Sequence, residues 1–202
     1  MKIPTTYNKD FGDYEVISAG GHKCRLVRVV ETQSQNGRKM LVVNLDTTEE
    51  DLQPLFFTNR YVQDKREDKK WPCKMYIVLE GEYAEGNLNR FLGAVEKSND
   101  SFHPVPGADL NLQELTNLKV GAVFRKEEYT KSDLTVGTSV KPFRWCAYDK
   151  AQEQEVPKPK LLPQSQAAVT ATTPAGAPIP GNNYGFVDVP ADALEDEGLP
   201  FN

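Results

Sequence analysis

The chain has 202 residues, 24 Lys and Arg against 29 Asp and Glu, a net charge of −5, and three cysteines. Cys24, Cys73 and Cys146 are far apart and have no CxxC or Cys/His spacing, which argues against a disulfide framework or a zinc site and for free thiols in a reducing cytosol. The opening MKIPTTYNKDF has no signal-peptide apolar run, and no stretch approaches the ~18 apolar residues of a membrane span, so a soluble, cytoplasmic protein is expected.

Residues 1–19 are polar and aromatic, with Tyr7, Phe11 and Tyr14, and read as an irregular arm or short edge strand. After Gly20-Gly21, the segment Gly21–Glu31 is rich in β-branched residues and predicts a first strand. Asn36-Gly37 is a strong hairpin signal, because both residues tolerate the positive φ of a tight turn. Lys39–Asp46 then predicts the returning strand. Its two faces are both largely apolar, which suits a closed barrel or a covered sheet. Residues 47–72 are less regular; the acidic Thr47–Asp51 stretch could cap one helical turn. Lys74–Glu80 alternates Met75, Ile77 and Leu79 against Tyr76, Val78 and Glu80, the pattern of a third strand.

Beyond a turn at 81–86, Asn87 is a candidate helix cap. Leu88, Phe91, Leu92 and Val95 recur at i, i+3, i+4 and i+7, an amphipathic helical stripe that ends near Ser98. A Pro/Gly-interrupted loop follows. Leu118–Thr130 predicts a fourth strand, with Gly121 at a bend or bulge, and Thr135–Asp149 a fifth. The order is three strands, one short helix, two strands. Repeated crossover helices, which a parallel sheet would need, are absent. The expected fold is therefore all-β with one short helix: an OB-fold, a five-stranded Greek-key barrel. An SH3-like barrel or small sandwich is the alternative.

Composition changes near Lys150. Residues 1–149 carry 21 bases and 22 acids; residues 150–202 carry three bases and seven acids and are rich in Pro, Ala, Thr and Gln. The second part lacks the apolar surface that would offset the entropy of ordering it. This divides the chain into a folded domain at 1–149, a disordered linker at 150–187 and an acidic tail at 188–202. The tail, DVPADALEDEGLPFN, ends on an apolar Leu199-Pro200-Phe201.

No P-loop, GxSxG or HExxH occurs, and His22 and His103 are the only histidines. No cofactor is called for. A nuclease built from scattered acids is the one enzyme reading left, and the chain is read as a non-enzyme. The positive signal is bases interleaved with aromatics, the composition that binds single-stranded nucleic acid by stacking bases and tracking phosphates. Phe57, Arg60, Tyr61, Lys69, Lys70 and Trp71 lie in one such window, Phe56–Trp71. Arg38 and Lys39 follow the hairpin turn; Arg125 and Tyr129 lie late in strand four; Lys141 and Arg144 lie in strand five. Tyr76 is out of phase with Met75, Ile77 and Leu79 and should face away from the core. Phe56 and Phe57 are adjacent, so at most one of them faces solvent, and Trp145 is better placed for burial than for stacking.

The tail resembles the acidic Pro-Phe tip of bacterial and phage single-stranded DNA-binding proteins. The core, in SQNGRKMLVVNLD and LEGEYAEGNLNRFLGAVEKSN, is similar to a phage family regarded as SSB-like. That resemblance implies an OB-fold that coats single-stranded DNA during replication or recombination, in the host cytoplasm if phage-encoded. It also implies a tail that recruits replication or recombination proteins, with Asp196, Glu197, Leu199, Pro200 and Phe201 as the contact residues. Such proteins often assemble, so a homo-oligomer is left open. Asn202 after Phe201 departs from the pattern, because the phenyl group and the terminal carboxylate then belong to different residues. The rival from another class is a protein-binding adaptor or inhibitor on a small β-barrel.

Overall fold

A computed structural model describes residues 15–163. The arm before residue 15, most of the linker and the whole acidic tail, with Asp196, Glu197, Leu199, Pro200 and Phe201, lie outside the described residues.

Five strands form one antiparallel sheet: β1 (Gly20–Gln33), β2 (Lys39–Thr47), β3 (Lys74–Val78), β4 (Lys119–Thr130) and β5 (Val136–Cys146), in the order β3-β2-β1-β4-β5. The expected hairpin joins β1 to β2. Gly37 takes φ 74°, its N–H donates to the Ser34 carbonyl at 2.8 Å, and Ser34 N–H donates to the Arg38 carbonyl at 2.8 Å. A glycine meets that φ without the steric cost of a Cβ. The long β1 serves both halves of the sheet: its first half pairs with β4 and most of its length with β2. The edge strands β3 and β5 approach each other but share no ladder, so the sheet is curled and not closed.

Alternation sorts the two faces. His22, Cys24, Leu26 and Val29 of β1 point inward with Val43 and Leu45 of β2, Met75 and Ile77 of β3, and Val120, Ala122 and Phe124 of β4, all buried. A bulge between Leu26 and Arg28 keeps Val29 on the inside. Gly121 is not a bulge as expected: it pairs regularly with both Lys23 and Cys146, and the irregularity of β4–β5 lies instead at Phe143, between the Val123–Arg144 and Phe124–Pro142 pairs.

There are two α-helices among the described residues, not one. α2 (Ala84–Glu96) carries the predicted stripe, burying Phe91, Ala94 and Val95, with Phe91 4.8 Å from Trp145. It starts three residues before Asn87, which is an interior residue and not the cap. The unforeseen helix is α1 (Phe56–Gln63). Its preceding residue, Leu55, is in the left-handed region at φ 51° and has no capping side chain. The free N–H groups are met from β2: Phe56 N–H donates to Thr47 Oγ1 at 2.8 Å, and Phe57 and Thr58 N–H donate to Asp46 Oδ1 at 3.0 and 3.1 Å.

A further difference concerns the end of the domain. Residues 150–163, read from composition as the start of a tether, pack on the sheet. The chain leaves β5, makes a short 3-10 turn at Tyr148–Lys150, and lays Ala151, fully buried, across β1. Lys160 then bridges β4, its carbonyl accepting from Glu128 N–H at 2.9 Å. Gly20 and Gly21 admit this strap, and Gly121 admits the chain leaving β5. A Cβ on Gly21 would lie 1.7 Å from the Ala151 carbonyl oxygen, one on Gly121 2.7 Å from the Ala147 carbonyl oxygen, and Gly20 faces Val156. Gly21→Ala is therefore expected to lift the strap. The cost should be about 1–3 kcal/mol, as for overpacking, seen as a lower Tm and faster protease cleavage within residues 150–163.

Candidate nucleic-acid interface

The strap divides the outer face of the sheet. It lies directly on the start of β1 at Gly21 and pairs by its backbone with β4 at Lys160. Over β2, β3 and the second half of β1 the outer side chains are exposed or half-buried, apart from Met40 and Asp46, which are buried. Register places them in rows: Arg28–Asn44–Lys74, then Val30–Val42–Tyr76, then Thr32–Met40–Val78. Cross-strand neighbours of this kind have Cβ atoms about 5 Å apart. Tyr76 is 39% exposed on this face, as its phase predicted. Half-buried Lys74 is its neighbour on the same face of β3, exposed Arg28 stands two strands away in the row of Lys74, and Asn44 Oδ1 between them finds no hydrogen-bond partner among the described residues. Arg38 and Lys39, both exposed, stand at the hairpin end of the same sheet region. An aromatic flanked by cations on a shallow polar–apolar sheet can stack a base and hold its phosphates.

The other predicted residues do not all join this face. Phe57 is 5% exposed, stacked on Phe124 at 5.9 Å and edge-on to Phe56 at 5.1 Å, so it is core and not a stacking platform. At most one ring of this pair was expected to face solvent; on α1 both turn inward. Trp71 is half-buried and its indole N–H donates to the Leu45 carbonyl at 2.7 Å. Tyr61 packs on it at 5.3 Å, and Lys69 lies 4.5 Å over the Tyr61 ring while donating to the Asp64 carbonyl at 3.2 Å. These three satisfy one another and brace the loop before β3. Lys70 is exposed nearby. Arg60 is exposed on α1 beside a separate groove lined by Leu52, Pro54 and Phe56.

A second group lies on β4–β5. Arg125 pairs in register with exposed Lys141, stacks 4.0 Å over Phe143 and donates to Glu127 at 2.7 Å. Arg144 donates to Gln154 of the strap at 3.2 Å. Tyr129 is 44% exposed and its ring covers Gly137, where a Cβ would come within 2.6 Å. The strap separates this group from the Tyr76 face. Arg125 and Arg144 are thus committed to holding structure, while Lys141 and Tyr129 stay accessible.

Sequence reasoning missed Arg28, Asn44 and Lys74. Strict alternation from Lys23 and Arg25 puts Val27 on the outer face and Arg28 inside; the bulge between Leu26 and Arg28 reverses this, and no local pattern announces it.

The remaining polar interior belongs to His22. Its Nδ1 is 2.8 Å from Asp51 Oδ2, and its Nε2 is 3.0 Å from the Ser18 carbonyl oxygen. Burial pushes the Asp51 carboxyl up, but hydrogen bonds from His22 and from the Gln53 and Lys23 N–H groups outweigh it and hold the acid below its usual range. This cluster ties the chain before β1 to the β2–α1 loop. Burial raises the Cys24 thiol well above its usual range and the Cys146 thiol to about 11, keeping both as thiols. No group of His, Cys, Asp or Glu among the described residues could hold a metal ion, and no helix among them is long and apolar enough to cross a membrane.

The chain matches no protein-family model and no curated protein.

Proposed function

We propose that the protein binds single-stranded DNA without catalysis, on an OB-type barrel. The observation that carries this reading is exposed Tyr76 sharing one open face of the sheet with Arg28 and Lys74. The fold argument is independent of it. The order β3-β2-β1-β4 has the fourth strand beside the first, the Greek-key order. α2 falls between β3 and β4, and the curled sheet is open between β3 and β5, as in a partly open OB barrel whose β2–β3 face and flanking hairpin loops take the ligand. In this reading the strap confines the strand to β1–β3. The acidic tail recruits replication or recombination proteins through Leu199, Pro200 and Phe201, in the cytoplasm of the host cell.

The test is fluorescence anisotropy of labelled oligo-dT against a duplex of equal length at two salt concentrations. Single-strand-selective binding that weakens with salt is expected. Absence of binding at low salt would turn the case over to an adaptor that engages protein alone.

A further inference from the structure

At the margin of the strap two lysines converge on one carboxylate. Lys23 Nζ lies 3.3 Å from Glu50 Oε2 and Lys119 Nζ 3.2 Å from Glu50 Oε1, so each ammonium takes its own oxygen. Both ammonium groups also lie over the ring of Tyr148, at 5.0 and 4.8 Å from its centroid. That ring is fixed: its hydroxyl is 2.7 Å from Thr48 Oγ1 and the Tyr148 N–H donates to Ser98 Oγ at 2.9 Å. The lysines come from adjacent strands, and Arg25 stands opposite Lys119 on the same outer face. Glu50 comes from a turn, its side chain is 55% exposed, and both contacts are longer than the 2.7–2.9 Å of a tight charge-assisted bond. Hydrogen bonds from Lys119 and Lys23 nevertheless hold the Glu50 carboxyl below its usual range.

A carboxylate whose two oxygens are each taken by a separate ammonium occupies the place of two unesterified oxygens of a phosphate. Without Glu50, the site is two cations over an aromatic face, with Arg25, itself 3.3 Å from Asp46, beside them. We infer that Lys23 and Lys119, over Tyr148, form a phosphate-binding subsite that Glu50 fills as an internal competitor. The inference rests on the single-stranded DNA reading only for the source of the phosphate. A strand leaving the Tyr76 face along Arg28 and Arg25 reaches this point on the same side of the sheet.

The experiment uses the full chain, the variant Glu50→Gln, and the double variant Lys23→Gln with Lys119→Gln. Two probes are titrated: labelled oligo-dT over a series of salt concentrations, and tripolyphosphate followed by the NMR signals of the Tyr148 ring. Glu50→Gln should bind oligo-dT on the order of 5-fold tighter at low salt, the effect of removing one charge ~4 Å from a phosphate in water. The double lysine variant should flatten the dependence of log K on log salt by about 1.4, two contacts at about 0.7 each for a single strand. Tripolyphosphate should shift Tyr148 at lower concentration in Glu50→Gln than in the natural protein, and not in the double variant. No Tyr148 shift in Glu50→Gln overturns the subsite, whatever oligo-dT does. A shift with unchanged oligo-dT affinity in Glu50→Gln overturns the competitor role of Glu50. A shift in a protein that binds no oligo-dT in any form leaves the subsite standing and overturns the DNA reading instead.

Discussion

Asp46→Ala is expected to be the most destabilising single change on the surface-directed side of β2. The Asp46 side chain is fully buried and accepts four hydrogen bonds, from the N–H groups of Phe57 and Thr58, from the Thr58 hydroxyl and from Arg25. Alanine leaves two helix N–H groups and one guanidinium without an acceptor. Removing one partner of a buried charged network costs about 3–5 kcal/mol, more than a lost helix cap alone at ~1 kcal/mol. At about 2–4 °C per kcal/mol for a chain of this size, Tm should fall by roughly 6–20 °C. Asp46→Asn keeps one acceptor oxygen and should fall between the two. Thermal melts of the three proteins decide the point. A change within 2 °C for alanine would mean that α1 is held by the packing of Phe56 and Phe57 and not by its borrowed cap.

Tyr76→Ala should produce the largest loss of single-stranded DNA affinity. Base–aromatic stacking is worth ~1–3 kcal/mol, so the dissociation constant for oligo-dT should rise roughly 5- to 150-fold, since about 1.4 kcal/mol is a factor of ten. Tyr76→Phe keeps the ring and should bind nearly as the natural protein does. Arg28→Gln and Lys74→Gln should act differently, each flattening the salt dependence by about 0.7. Tyr76 is 39% exposed, so its replacement should leave the melting transition nearly in place. Equal affinity for the tyrosine and alanine proteins would remove this face from the reading. Loss of affinity with unchanged Tm would tie the exposed Tyr76 ring itself to binding.

The contrast between these two residues shows what was legible in the chain. Tyr76 could be placed from sequence because a strand has a period of two. Once Met75, Ile77 and Leu79 were assigned to the core, Tyr76 had to face the other way. The same local rule, with the Asn36-Gly37 turn, located all five strands. Asp46 could not be understood that way. Its role is to cap a helix whose first residue lies ten positions further on, across a change of direction, and Leu55 at the local cap position offers no oxygen. α1 was therefore invisible to a search for local caps, and with it the burial of Phe57.

The strap was hidden for a related reason. Residues 150–163 have the composition of a tether, and room for their backbone comes from Gly21, more than a hundred residues earlier, against Ala151. By itself the sequence determined the strand periodicity, the hairpin and the α2 stripe, because these depend on neighbours within a few residues. Only the tertiary structure decided which outer face stays open, which arginines are already engaged, and that Lys23, Lys119 and Glu50 meet over Tyr148. Those outcomes depend on register between strands and on a chain segment returning over the sheet, which no local pattern encodes.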